Sequence, residues 1–423
     1  MLIEFSVENF RSIKDRVTLS MVAGSKKENL EDNLIDTGFK DLTLLKSAVI
    51  YGPNASGKSN VIRAMFTAIG IIMNSNKVQK DEELPLTPFL LDSTYRNLPT
   101  SFEIVFIQNS IRYVYGFSAD SSAIHTEYLY YYPQGRKSII FERDISKGYK
   151  FTVDKREQTE LSKRTLKNSL YLSTSTQWNY EKTSNVFDWF KKISIINPSF
   201  DLGGYTSDLV LKNKKAKRYV ELFLKMADIG VEGIKIKKKK LDIVDIKTSP
   251  LFSDILKKAI EEEYLRNGKI EALTPQAVHY MDGDEKKQVI FDFDEESDGT
   301  KKLFELSGLL YTVLEEGRIL FVDELSVRLH PYLVEFIITI FNSRKYNKKG
   351  AQLVFTTHNT YLLKQSLFRR DQIWFTEKTK QQSTDLYSLY DIKGVRKEEN
   401  LEKGYLLGRY GATPFIQFED VTK

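Results

Sequence analysis

Near the start of the chain Leu2, Phe5 and Val7 interleave with polar residues, which predicts an opening strand of mixed exposure. Residues 29–46 are polar and read as a loop or hairpin. The run 47–51 (SAVIY) is short, apolar and stopped by Gly52, the pattern of a buried parallel strand. Over 60–73, Val61, Ile62, Met65, Phe66 and Ile69 recur at helical spacing. Between Phe102 and Val153 the segments SFEIVFI, IRYVYGFS, TEYLYYYP and SIIFERD are β-branched and aromatic. They predict successive antiparallel strands, with a turn at Pro133-Gln134-Gly135.

From about 160 to 267 the pattern turns helical, with Tyr219, Leu222, Phe223 and Met226 on one face. Leu251, Ile255, Leu256 and Ile260 repeat that spacing. After about 269, apolar runs at 317–322 and 351–356 flank a helical segment at 332–341. Strands separated by helices imply a parallel sheet with helices packed on it. The expectation is an α/β fold in three parts: 1–159, a mostly helical insert at 160–269, and 270–423. The lysine run 235–240 (KIKKKK) fits a solvated strand edge or loop, with a nucleic-acid or partner contact as the alternative. Tyr128, Tyr130, Tyr131 and Tyr132 fit strand packing better than a base-stacking platform.

Composition removes several alternatives. There is no cysteine among the 423 residues, so disulfides and thiolate metal sites are excluded, and four histidines are too few for a histidine-rich centre. A net charge of +6 from 63 basic and 57 acidic side chains is compatible with a nucleic-acid partner without arguing for one. The opening MLIEFSVENFRSIKD lacks a basic n-region followed by an apolar h-region, and no apolar run approaches the ~18 residues of a membrane helix. A cytoplasmic protein with no membrane partner is expected.

The chemistry concentrates in four segments. Gly52-Pro53-Asn54-Ala55-Ser56-Gly57-Lys58-Ser59 fits G-x-x-x-x-G-K-[ST], with Asn60 next. Glycines at both ends let the backbone curl so that N–H groups face phosphate oxygens, and the helix that follows adds its positive end. Lys58 is expected to reach the β- and γ-phosphates of ATP, and Ser59 to bind Mg²⁺. The apolar run 319–322 ends in Asp323-Glu324, where Asp323 supports Mg²⁺ and Glu324 polarises the attacking water. Ser297-Asp298-Gly299-Thr300 opens a helical pattern, either as an ordinary cap or as a phosphate-binding helix end. His358, just beyond the 351–356 strand, is placed to bond the γ-phosphate or the water. The acidic stretch 292–296 fits a strand end better than a metal cluster.

Together these segments resemble the ABC-type ATPase heads of the SMC, RecF and OLD group, and most of all the AAA family-fifteen ATPases (RloA and PARIS-type) associated with bacterial phage defence. IEFSVENFRSIKD resembles their first strand, GPNASGKSN their Walker A, ILFVDEL their Walker B, SDGTKKL a degenerate signature and TTHN the switch-histidine segment. The ending, from FRRDQIWFTEK to LEKGYLLGRYGATPFI, is similar too. The resemblance implies an ABC-type head with an antiparallel β subdomain. It implies a homodimer or higher homo-oligomer in which Ser297 and Gly299 of one copy complete ATP on Lys58 of another. It also implies a switch that controls a separate effector protein, such as a nuclease. Ser326 stands where the family often has aspartate. A RecF-like DNA-repair ATPase is the competing reading.

Overall fold

The structure, a computed structural model, describes residues 1–24, 30–197, 202–227, 230–241, 270–281, 284–396 and 399–414. Leu251, Ile255, Leu256 and Ile260, read above as helical, lie outside the described residues. In chain order the first elements are β1 (Leu2–Glu8), β2 (Val17–Ser20), β3 (Leu34–Asp36), β4 (Thr43–Leu45), β5 (Ser47–Tyr51) and α1 (Lys58–Asn74). Next come β6 (Thr100–Gln108), β7 (Ile111–Ala119), β8 (Ile124–Tyr132), β9 (Ser138–Asp144) and β10 (Gly148–Phe151). Then follow α2 (Lys155–Ser162), α3 (Tyr171–Gln177), α4 (Glu181–Phe190), β11 (Ile193–Ile196), α5 (Gly203–Lys212), α6 (Lys214–Met226) and β12 (Gly233–Leu241). The chain continues with β13 (Ile270–Met281), β14 (Asp284–Asp292), α7 (Asp298–Glu316), β15 (Ile319–Val322), α8 (Pro331–Asn342) and β16 (Gln352–Thr356). It closes with β17 (Ile373–Lys378), β18 (Thr384–Ser388) and α9 (Leu401–Leu406).

These elements make two compact units, one of residues 1–198, 313–327 and 334–423, the other of 199–312 and 328–333. The first unit holds two large sheets. One is antiparallel, in the order β10-β9-β8-β7-β6-β1-β2. The aromatic hairpins read from 102–153 form it, and the tyrosines of β8 pack as strand residues: Tyr131 stacks on Tyr113, and Tyr130 donates to Glu142 at 2.9 Å. β1 is more buried than its alternation suggests, because β2 and β6 flank it and Ser6 is covered along with Phe5 and Val7.

The second sheet runs β11-β15-β16-β5-β17-β18, parallel except for β18. Its strands β5, β15 and β16 are wholly buried, as continuous apolar runs between covering layers must be. Both sheets feed one core, in which Trp189 stacks at 4.0 Å on Phe106 with Phe190 beside them. Gln352 is a polar clamp within it. Its side chain accepts from the Leu2 N–H (2.6 Å) and donates to the carbonyls of Leu2 (3.0 Å) and Leu45 (3.1 Å). β11 corrects the helical reading of its region: ISII forms a parallel edge strand.

Among the described residues the second unit holds α5, α6, the sheet β12-β13-β14 and the first turns of α7. Gly308 of α7 meets Thr206 of α5 so closely that an added Cβ would lie 2.4 Å from its hydroxyl. Thr206 donates to the Glu305 carbonyl at 2.8 Å. The lysine run lies on β12, at an edge of its sheet among the described residues, with Lys237 and Lys238 exposed. The alternative of a loop is thereby discarded; charged side chains along an unpaired edge discourage further strands from adding there.

Candidate functional site

The parallel sheet brings three of the four segments together. β15, β16 and β5 are neighbours, and each motif leaves the carboxyl end of one of them: Asp323-Glu324 after β15, His358 after β16, and the 52–57 loop after β5. The carboxyl edge of a parallel sheet is where loops can converge on a ligand.

The loop itself is tightly determined. Gly57 adopts φ +112°, and an added Cβ there would lie 2.1 Å from Thr384 Oγ1. A Cβ on Gly52 would lie 2.4 Å from the Thr376 carbonyl oxygen. Ala55 is left-handed at φ 61°. No side chain caps the start of α1, and an uncapped helix N-terminus is an arrangement that binds anions. Lys58 is buried and donates to the carbonyls of Gly52 (2.8 Å) and Pro53 (2.9 Å). Burial lowers its pKa to about 8, against the opposing pull of Glu324 and Asp323.

Ser59 and Asp323 meet: the hydroxyl donates to Asp323 Oδ1 at 3.0 Å. Thr356, the last residue of β16, donates to the same oxygen at 2.7 Å and accepts from the Glu324 N–H at 2.7 Å. Glu324 is held at φ 54°, a left-handed conformation that a side chain occupies only when its surroundings impose it. A hydroxyl and one carboxylate fit the sparse protein coordination of Mg²⁺, which takes its remaining ligands from water and phosphate. No cluster of three or more acidic or histidine side chains suited to a metal occurs among the described residues.

His358 follows Thr357, whose hydroxyl bonds Ser326 at 2.9 Å. The imidazole is exposed by area, yet partial burial, then the charge of Lys58, lower its pKa, with Glu324 and Asp323 opposing. Gly52, Pro53, Asn54 and His358 line one side of a cleft of about 780 Å³. Thr360 and the turn around 405–408 line another part.

Ser56 differs from its neighbours: its side chain is buried and bonds Thr376 at 2.7 Å. Asn60 donates to Ser12 at 2.6 Å. Ser297 and Gly299 belong to the second unit. There Ser297 accepts from the Thr300 N–H at 3.1 Å at the start of α7, the role of an N-cap, and Gly299 packs near the Arg328 carbonyl. Reading the sequence missed Ser12, Thr356, Thr376 and Thr384. Each is a small hydroxyl residue on or beside a strand, and no spacing sets it apart.

The family described as "AAA domain, putative AbiEii toxin, Type IV TA system" (AAA_21) matches residues 47–364, from β5 through the acidic strand to His358. The chain belongs to the AAA_21 family. It is therefore an ATPase with an α/β fold, and ATP is its nucleotide. A comparison with curated proteins finds no match. Among solved structures, the SMC head domain from Thermotoga maritima is 14% identical, with 92% of this chain and 98% of that chain covered and a TM-score of 0.40. The Smc head domain from Pyrococcus furiosus, bound to the C-terminal domain of ScpA, is 11% identical, with 92% and 96% covered and a TM-score of 0.42. The recombination mediator RecF with ATP is 14% identical, with 92% and 99% covered and a TM-score of 0.35. At such TM-scores none of these likenesses bears on what this AAA_21 protein binds or does. No described helix is long and apolar enough to cross a membrane.

Proposed function

We propose that this AAA_21 ATPase is an ABC-type head that closes with a second copy around ATP and Mg²⁺, as the switch of an anti-phage defence system with a separate effector. The observation that carries the ATPase chemistry is the convergence of the Ser59 and Thr356 hydroxyls on one carboxylate oxygen of Asp323, at the same sheet edge as the Lys58 loop. Backbone N–H groups of the 52–57 loop and α1 hold the phosphates, and Lys58 supplies a mobile positive charge there. Ser59 and Asp323 hold Mg²⁺, which supplies charge neutralisation at the phosphates when bound. Glu324 orients the attacking water, and a largely neutral His358 accepts or donates a hydrogen bond beside it. Ser297 and Gly299, at the start of α7, reach the phosphates of a second copy. Closure under ATP and release after hydrolysis then form a two-state switch.

The defence role draws on the likeness of both ends of the chain to RloA and PARIS-type ATPases; the toxin named in the family's description is consistent with a regulatory role. The RecF-like reading, a cytoplasmic DNA-clamping ATPase, is favoured by one observation, the exposed lysines of β12. It requires DNA-stimulated hydrolysis that weakens steeply with salt.

The deciding experiment is molecular mass in solution with and without ATP and Mg²⁺, for the wild type and Glu324→Gln. The expected result is that Glu324→Gln with ATP shifts from the 49.0 kDa monomer to twice that mass or more. A mass that never changes, together with ATPase activity surviving Lys58→Ala, defeats head closure.

A further inference from the structure

The loop that carries Lys58 is braced from behind by a hairpin that contributes nothing to the sequence motif. β17 and β18 form this hairpin at the edge of the parallel sheet, with β17 paired to β5. Thr384 opens β18 and is buried. Its hydroxyl donates to the Ser56 carbonyl at 2.8 Å. That donation uses the one proton Thr384 has, so Ser12, 2.8 Å away, must donate to Thr384. Ser12 in turn accepts from the Asn60 side-chain amide at 2.6 Å. The chain of bonds therefore runs in one direction, from the first turn of α1, through the turn after β1 and the hairpin, back to the loop. Bonds aligned in this way polarise one another. The Thr384 N–H also donates to the Ser12 carbonyl at 2.7 Å, fixing the two segments by backbone.

Thr376, on β17, does the same for the other end. Its hydroxyl donates to the Tyr51 carbonyl at 3.3 Å and bonds the buried Ser56 hydroxyl at 2.7 Å. The two threonines also leave no room for side chains at Gly52 and Gly57, as the added-Cβ distances show. Ser56 is thus held by two hydrogen bonds from the hairpin, one to its carbonyl and one to its hydroxyl, and a third ties the hairpin to Tyr51 just before the loop.

From this we infer that Thr376 and Thr384 are positioning residues for nucleotide binding: they hold the phosphate loop in its curled form before ATP arrives. The inference rests on the 52–59 segment being the ATP site. Pre-forming a loop raises affinity by reducing what must be ordered on binding, so their loss should appear in binding more than in turnover. Both threonine hydroxyls are committed to groups of the loop and of β5, which separates their expected effect from that of Lys58.

The test is the full-length protein with ATP and Mg²⁺, measuring ATP affinity by calorimetry and KM and kcat for hydrolysis. Thr384→Val and Thr376→Val keep the shape and remove the hydroxyl, while Thr384→Ser and Thr376→Ser restore it. Each valine variant should weaken ATP binding and raise KM about tenfold, with kcat changed less than about threefold. The serine variants should return to within about threefold of the wild type. Valine variants that are well folded and bind ATP like the wild type overturn the inference, as do serine variants as weak as the valine ones. Should the valine variants not fold, Ser12→Ala breaks the same bond chain from the far side. It should weaken ATP about threefold, and unchanged affinity there also overturns the inference. A wild type that ignores ATP, or a Lys58→Ala protein that binds it normally, removes the ATP-site reading itself rather than the brace alone.

Discussion

Lys58 is a cation kept in a buried place, and its protonation links binding to stability with opposite signs. Its pKa of about 8 in the folded chain lies below the ordinary 10.5, chiefly because burial disfavours the charged form. Below pH 8 it is charged in both folded and unfolded chains. Between about 8 and 10.5 the folded chain has released the proton while the unfolded one still holds it, so Lys58 favours folding progressively more as pH rises across that window. Attraction for phosphate moves the other way, because the charge that recognises it is leaving. We predict that kcat/KM for ATP falls above about pH 8 even though the protein does not unfold there. Bound phosphate stabilises the ammonium, so the matching limb in kcat should lie at higher pH. A pH–rate profile of both constants, with a parallel unfolding series, checks this; kcat/KM that stays flat to pH 9.5 would show that ATP recognition does not depend on the Lys58 charge. His358 adds a second titratable group: burial, then the charge of Lys58, lower its pKa and favour the neutral imidazole.

At the scale of elements, the parallel sheet is positioned by groups that an apolar pattern cannot reveal. SAVIY, ILFV and QLVFT read as buried strands because each is a short, mainly apolar run, and Gly52 and Asp323 mark the turns after the first two. The same logic left a strand edge or a loop open for the lysines of KIKKKK, and the structure places the run on the strand β12. β11 escaped because ISII is too short to display a period and follows directly on the helix α4. Ser12, Thr376 and Thr384 escaped for another reason: their meaning lies in which strands become neighbours, and β17 pairs with β5 across more than 300 residues of chain. Gln352 is a further case. In sequence it is the one polar residue at the start of an apolar strand; in the fold it is fully buried and satisfies three backbone groups of β1 and β4. Gln352→Leu should therefore lower stability by about 2–5 kcal/mol, since the apolar side chain leaves one N–H and two carbonyls buried without partners. Urea denaturation of the two proteins provides the comparison. A loss under about 0.5 kcal/mol would mean that water or a shifted backbone satisfies those groups.

On the scale of the whole molecule, the proposed site is divided between copies, and that division has a consequence for mixtures. Lys58 lies in the first compact unit and Ser297 in the second, with Ser297 already committed as a cap within its own helix. If the start of α7 serves the phosphates of another copy, Lys58→Ala and Ser297→Arg should each abolish hydrolysis as pure proteins, for different reasons. The first cannot hold ATP, and the second cannot complete its neighbour's site. Mixed together, a dimer containing one of each pairs an intact Lys58 loop with an intact Ser297 end, while its other site is doubly broken. Random exchange makes half of all dimers mixed, with one of two sites intact, so activity should recover to about a quarter of the wild-type rate. The measurement is ATPase rate against mixing ratio at constant total protein, with a maximum expected at equal parts. Recovery must also vanish on dilution below the dimer's dissociation constant, since a site built from two chains depends on concentration and one built from a single chain does not. Two inactive proteins that remain inactive at every ratio and concentration would place the whole site within one chain, and would leave Ser297 as the helix cap that its own hydrogen bonds describe.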